Sequence, residues 1–282
     1  YCRTVHVAMR NALKRIEGYD DPLTRVAEAR AILAATPTGP KCAKDDHIKA
    51  AVVRVFERME ERAAAALRGE RATAQWGIDV IDGFVDEEGR VEVGALGGMF
   101  PGKLYVIAGP PGTGKTSCAW GAVLATARAG KRVIVFSLEM TAEDICQRLA
   151  GQACGIDESR IENGTITADE LTALGTFLVN DLAELPIYVP TDCRTLDQMR
   201  SRILADVAVA AAENDPKKGV ALVVIDFLQR AKASQRTTDG NRDDEERVYE
   251  AKGIANDANV PVLAVSSMTK VAQNLATNEG KV

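Results

Sequence analysis

Histidine is almost missing: His6 and His47 are the only two in 282 residues. Two imidazoles so far apart weigh against a histidine-built metal centre or a nucleophile–histidine catalytic set. There are six cysteines, none in a C-x-x-C pair, which weighs against a zinc site and against a disulfide framework. Scattered thiols in a chain of this size fit a reducing compartment, and a cytoplasmic location is expected. No apolar run approaches the roughly 20 residues of a membrane span, so no membrane partner is expected. The opening Tyr1-Cys2-Arg3-Thr4-Val5-His6 lacks the apolar core of a secretory signal. It also lacks an initiating Met, which points to a fragment or a processed chain. No internal repeat or low-complexity tract is present. The formal net charge is −5, so any nucleic-acid contact has to come from local basic loops.

What remains is an ordinary globular composition, 46% hydrophobic and 27% charged, long enough for one large or two modest domains. One stretch organises it: Gly109-Pro110-Pro111-Gly112-Thr113-Gly114-Lys115-Thr116, which fits the phosphate-binding pattern G-x-x-x-x-G-K-[ST]. The apolar run Leu104-Tyr105-Val106-Ile107-Ala108 before it reads as a buried strand. The Ala-rich, proline-free Ser117 to Ala129 after it reads as a helix. Glycines at 109, 112 and 114 let the backbone turn tightly and bring N–H groups onto phosphate oxygens, beside the positive end of the helix. The expected nucleotide contacts are Gly109, Pro111, Gly112, Thr113, Gly114, Lys115, Thr116 and Ser117. Lys115 places its ammonium on the β- and γ-phosphates of ATP, and the Thr116 hydroxyl ligates Mg²⁺.

Residues 1–71 read as a helical amino-terminal segment and 72–282 as the nucleotide-binding domain. Helices are expected over Val5–Ile16, Leu23–Ala35 and about His47–Leu67. The last carries Ile48, Val52, Val55, Phe56, Met59, Ala63, Ala66 and Leu67 along one stripe. Such a helix either packs on its own domain or docks on a neighbouring subunit. Gly69 to Gly102 is an approach segment, with a turn at Asp86-Glu87-Glu88-Gly89. From Lys103 on, strands and helices alternate, which predicts an α/β domain with a parallel sheet. The candidate strands are Leu104–Gly109, Arg132–Ser137, Ile187–Pro190, Ala221–Asp226 and Val262–Ser266. Their apolar runs fit central strands buried on both faces. Thr141…Asp144, Thr167…Glu170 and Thr195…Gln198 have capping-box spacing.

Two strands end in an acid. Asp226 closes Val220-Ala221-Leu222-Val223-Val224-Ile225. Beside a phosphate loop such an acid holds the magnesium, usually through water; otherwise it is a turn former or helix cap. Glu139 follows Val133-Ile134-Val135-Phe136-Ser137-Leu138. Ligands of open parallel sheets gather beyond the carboxyl ends of the strands, so Glu139 would share a crevice with Lys115 and Asp226. There it either orients a water and takes its proton or is a favourable charge at a helix start.

Gly97-Gly98-Met99-Phe100-Pro101-Gly102-Lys103-Leu104, the phosphate loop, Phe136-Ser137-Leu138-Glu139-Met140 and Ile225-Asp226-Phe227-Leu228-Gln229 occur in this order. Together they resemble the RecA-like motor domain of replicative hexameric DNA helicases of the DnaB type. Asn259-Val260-Pro261-Val262-Leu263-Ala264-Val265-Ser266 resembles that family's last core strand, and the resemblance covers about Trp76 to Lys270. It implies a RecA-like domain after a linker helix, with Glu139 as the general base. It further implies six subunits in a ring, ATP between neighbours and single-stranded DNA through the centre. A replication fork as substrate and a helicase loader or primase as partner follow from the same resemblance. Where the family has a Gln that senses the γ-phosphate, this chain has Ser267, whose hydroxyl is shorter. The chain also ends at Val282, before the region where the resemblance places an arginine finger and a major DNA-contacting loop, so a truncated motor domain is expected.

Arg230 to Arg247 reads as a polar loop whose first part is purely basic. Arg230, Lys232 and Arg236 there, with Lys270 after the last strand, are the candidate DNA contacts. A solvated surface loop is the competing reading, and no aromatics interleave these charges. The functional expectation is an ATP-driven replicative helicase motor. Its competitor is a RecA-like ATPase that acts as an assembly switch or loader and unwinds nothing.

Overall fold

In the computed structural model, the described residues are Val52, Val55–Glu60, Ala64, 74–85, 91–213, 219–232 and 240–267. The chain divides into two units, Tyr1–Ala72 and Thr73–Val282. In the first, Val52, Val55–Glu60 and Ala64 are helical, with Val55 and Met59 exposed. The two earlier helices expected from the sequence lie outside the described residues.

In the second unit, a short helix α1 (Asp79–Asp82) leads into two three-residue strands, β1 (Gly83–Val85) and β2 (Val91–Val93), paired antiparallel. The sequence predicts only an approach segment here, without strands. Three-residue strands are too short to show an alternation, and the turn expected at 86–89 lies outside the described residues. Asp82 organises the entry: its buried carboxylate accepts from the backbone N–H groups of Trp76 and Gly77 at 2.8–3.0 Å.

The main sheet has five strands: β3 (Leu104–Gly109), β4 (Arg132–Ser137), β5 (Ile187–Tyr188), β6 (Val220–Asp226) and β7 (Val262–Ser267), in spatial order β3-β7-β6-β4-β5. All of its pairings are parallel. The segments between the strands carry helices α2 (Lys115–Arg128), α3 (Ala142–Cys154), α4 (Glu158–Glu162), α5 (Ala168–Thr176), α6 (Leu196–Glu213) and α7 (Gly240–Ala258). The three capping boxes form as spaced. Thr141 and Asp144, Thr167 and Glu170, and Thr195 and Gln198 exchange reciprocal side-chain-to-backbone hydrogen bonds.

Alternation along the strands splits the core in two. Val133 and Val135 of β4, Leu222 and Val224 of β6, and Leu263 and Val265 of β7 face Trp120, Val123, Ile145 and Leu149. Their neighbours Ile134, Phe136, Val223, Ile225, Val262 and Ala264 face Met199, Ile203, Ile254 and Ala255. Strands apolar at nearly every position are what a sheet covered on both faces requires.

This holds for β4, β6 and β7 but not for β3, expected to be buried. Among the described residues β3 is an edge strand, with Val106 46% exposed. β5 is likewise an edge and stops at Tyr188, two residues short of its expected end. A second correction concerns Arg230–Arg247, expected to be one loop. Leu228–Arg230 is a 3₁₀ turn, and Gly240 opens α7, which has Asp243 in its first turn. An acid there favours the helix macrodipole, which a reading of charge alone mistook for loop polarity.

Candidate nucleotide site at the carboxyl ends of the strands

Register brings the site together. Gly109 at the end of β3 pairs with Ser267 at the end of β7, and Asp226 at the end of β6 pairs with Ser137 at the end of β4. Four strand ends therefore lie along one edge of the sheet. The phosphate loop leaves the first, Ser267 ends the second, Asp226 the third, and Glu139 follows the fourth by two residues. The Asp226 carbonyl accepts from the Leu138 N–H at 2.9 Å, tying the turn that carries Glu139 to the strand that carries Asp226.

The loop itself depends on glycine. Gly112 and Gly114 have φ of +77° and +78°, and a Cβ at either would meet nothing within 4 Å. The demand there is torsional rather than steric. Gly114 caps α2 in the left-handed conformation, with the Cys118 N–H bonded to its carbonyl at 2.9 Å. Pro111, Gly112, Thr113, Gly114 and Ser117 are exposed, Thr116 is half-buried, and Gly109 is buried. Lys115 lies over the loop, 8% exposed, and its Nζ donates to the Pro110 carbonyl at 2.6 Å. The Thr113 hydroxyl donates to the same oxygen at 2.8 Å.

Asp226 is 2% exposed, and its Oδ1 is buried without a hydrogen-bond partner. Burial pushes its carboxyl up to about 6, and the Glu139 charge pushes the same way; Arg148 and Lys115 pull it down. Asp226 thus feels both the ammonium of the phosphate loop and the second carboxylate, so the three groups share one electrostatic environment. A buried carboxylate oxygen lacking a donor is the arrangement a divalent cation satisfies. A single buried carboxylate suits Mg²⁺, which keeps most of its waters.

Glu139 is exposed and held: its Oε1 accepts from Arg230 Nη2 at 2.9 Å. Arg230 therefore stands against the site. Lys232 is exposed and its backbone bridges to Thr195. Arg236 and Lys270 lie outside the described residues. At the end of β7, Gln229 Nε2 donates to Ser266 Oγ at 2.5 Å and to the Ser267 carbonyl at 3.1 Å. Sequence reasoning gave no role to Arg148, Gln229 or the Arg230–Glu139 pair. Gln229 stood inside a quoted motif. Arg148, on α3, carried no local signal; its Nε pairs with Glu158.

A phosphate loop at the end of an edge strand and two strand-end acids on the same side of a five-stranded parallel sheet define a P-loop nucleotide-binding domain of the RecA-like class. The chain belongs to the DnaB-like helicase C-terminal domain family, whose pattern matches residues 93–279. It is 29% identical over 181 residues to the replicative DNA helicase DnaB of Synechocystis, covering 63% of this chain and 20% of that protein. With DnaB of Nostoc it shares 29% over 233 residues, 79% of this chain and 23% of the relative. Among solved structures it resembles the ATPase domain of G40P, with a TM-score of 0.60 and 20% identity, covering 82% of this chain and 74% of that one. A DnaB-like replicative helicase described with its interactions with primase superposes with a TM-score of 0.59 and 19% identity, covering 96% and 59%. These last two likenesses speak to the fold. The chain spans only 18% to 36% of the length of the first DnaB relatives.

Proposed function

We propose that this chain is the motor part of a replicative DNA helicase, hydrolysing ATP to move on single-stranded DNA and separate a duplex. The observation that carries the reading is the convergence of Lys115, Asp226 and Glu139 beyond the ends of β3, β6 and β4. Backbone N–H groups of the 109–116 loop and the α2 amino terminus hold the phosphates, and Lys115 adds a positive charge at the β- and γ-phosphates. Thr116 and Asp226 would hold Mg²⁺, which would supply charge neutralisation at the phosphates. Glu139 orients the attacking water and accepts its proton. The water oxygen bonds to the γ-phosphorus, the bond to the bridging oxygen breaks, and that electron pair leaves on ADP.

Ser267, which pairs with Gly109 at the end of β7, is the proposed γ-phosphate sensor, acting through a short hydroxyl. Arg230, Lys232, Arg236 and Lys270 are the proposed contacts to the DNA backbone. The unit 1–71 is proposed as the helical amino-terminal segment and linker helix. A hexameric ring is the proposed assembly. A primase, present in the description of one structural relative, or a helicase loader is the proposed partner.

The test is ATP turnover by the purified protein with and without oligo(dT), together with opening of a forked duplex. Stimulation by single-stranded DNA, fork opening, and loss of turnover in Glu139→Gln are expected. Turnover indifferent to DNA and no fork opening would leave an assembly-switch ATPase instead.

A further inference from the structure

We propose that Arg230 is a positioning residue for Glu139, holding the carboxylate in an ion pair until a nucleic-acid phosphate takes the guanidinium away. The inference rests on the reading of Glu139 as the base. Arg230 and Glu139 are 91 residues apart, yet Arg230 Nη2 lies 2.9 Å from Glu139 Oε1. Oε1, occupied by the guanidinium, is not free to accept a proton from a water.

The pair is open to solvent, its side chains 56% and 43% exposed. Exposed ion pairs contribute little to stability and are screened by salt. A contact of this kind is a poor structural brace and an easily exchanged one.

The backbone around Arg230 is fixed on several sides. Gln229 is bonded to Ser266 and Ser267 at the end of β7. The Ala231 carbonyl accepts from Arg247 Nε of α7 at 2.8 Å. Lys232 exchanges backbone bonds with Arg194 and Leu196. With the chain tied on both sides of it, exchange of partners falls to the Arg230 side chain. Its guanidinium also opens the basic run Arg230, Lys232 and Arg236, and guanidinium matches phosphate as well as carboxylate. A phosphodiester arriving at this run competes directly with Glu139. By linkage, what frees Glu139 on DNA binding also tightens DNA when Glu139 is lost.

The experiment uses the full chain. Binding of labelled oligo(dT) is measured without nucleotide, and ATP turnover is measured with and without oligo(dT). The variants are Glu139→Gln, Arg230→Leu, Arg230→Lys and the Glu139→Gln/Arg230→Leu pair. Glu139→Gln is expected to bind oligo(dT) about two- to five-fold tighter than wild type at low salt, a gain the double variant loses. Arg230→Leu should lower the slope of log affinity against log salt by about one. It should also raise DNA-free kcat by about two- to five-fold at unchanged KM for ATP, with Arg230→Lys returning towards wild type. Equal oligo(dT) affinity of wild type and Glu139→Gln overturns the proposal, and so does a fall in kcat in Arg230→Leu. If the tightening appears with a nonhydrolysable ATP analogue and not with oligo(dT), the nucleic-acid assignment is overturned. Full turnover by Glu139→Gln would instead overturn the base assignment, while the binding comparison still decides the exchange.

Discussion

Gln229 and Ser266 are joined across 37 residues by a 2.5 Å hydrogen bond, from the turn after β6 to the end of β7. The same amide donates to the Ser267 carbonyl and accepts from its N–H. The turn that carries Arg230 is therefore bonded to β7, the neighbour of the strand that runs into the phosphate loop.

Gln229→Ala removes those bonds. It should cost about 1 kcal/mol of stability, the usual loss for a part-buried neutral hydrogen bond, read as a thermal midpoint lower by roughly 2–4 °C. Stimulation of turnover by oligo(dT) should fall more than basal turnover does. Equal losses in both would mean that Gln229 only braces the fold.

Gly114→Ala isolates the torsional demand of the phosphate loop. A Cβ at 114 meets nothing within 4 Å, so the penalty comes from φ of +78° alone. The cost is expected near 1–2 kcal/mol in denaturant unfolding, with a weaker nucleotide complex measured by calorimetry. Unchanged ATP affinity would show that the loop reaches its binding shape without the left-handed cap.

Asp226→Asn trades function for stability. The buried carboxylate has an oxygen without a partner and Glu139 as an unfavourable neighbour. In metal-free buffer at neutral pH the amide should stabilise the fold by about 1 kcal/mol while abolishing hydrolysis. Denaturant unfolding with EDTA checks the first part and phosphate release the second. Destabilisation in metal-free buffer would mean that the acid earns its place structurally.

Away from the site, Glu170 supplies a pH signature. Its carboxyl is held down to about 2, chiefly by the Arg160 side chain and also by the Thr167 N–H. Unfolded, it titrates near 4.5. The folded state favours the ionised form, so the contribution is full above about 4.5 and is lost as pH falls towards 2. Wild type should be more stable than Glu170→Gln at pH 7. The difference should shrink through pH 4 and be mostly gone near pH 2, by urea unfolding at each pH. A gap independent of pH would assign the effect to the capping box rather than to charge.

The phosphate loop, both strand-end acids, the five strands and the capping boxes were legible because each is a local pattern of a few adjacent residues. β1 and β2 were too short to carry a pattern, and α7 was masked by charges that serve a helix start as readily as a loop. The exposed edge at β3 was invisible for a different reason: an apolar hexapeptide has the same composition whether or not a strand lies on its outer side.

Spacing alone thus pointed to the class of chemistry, because a glycine turn, an ammonium and a hydroxyl in sequence are what a phosphate cradle needs. Only the tertiary structure decided what surrounds that cradle. It set the strand order that aligns Asp226 with Ser137, the burial that raises the Asp226 carboxyl, and the contact between Arg230 and Glu139. These depend on which strand lies beside which, and strand order is fixed by packing between residues far apart in the chain rather than by any segment's own propensity.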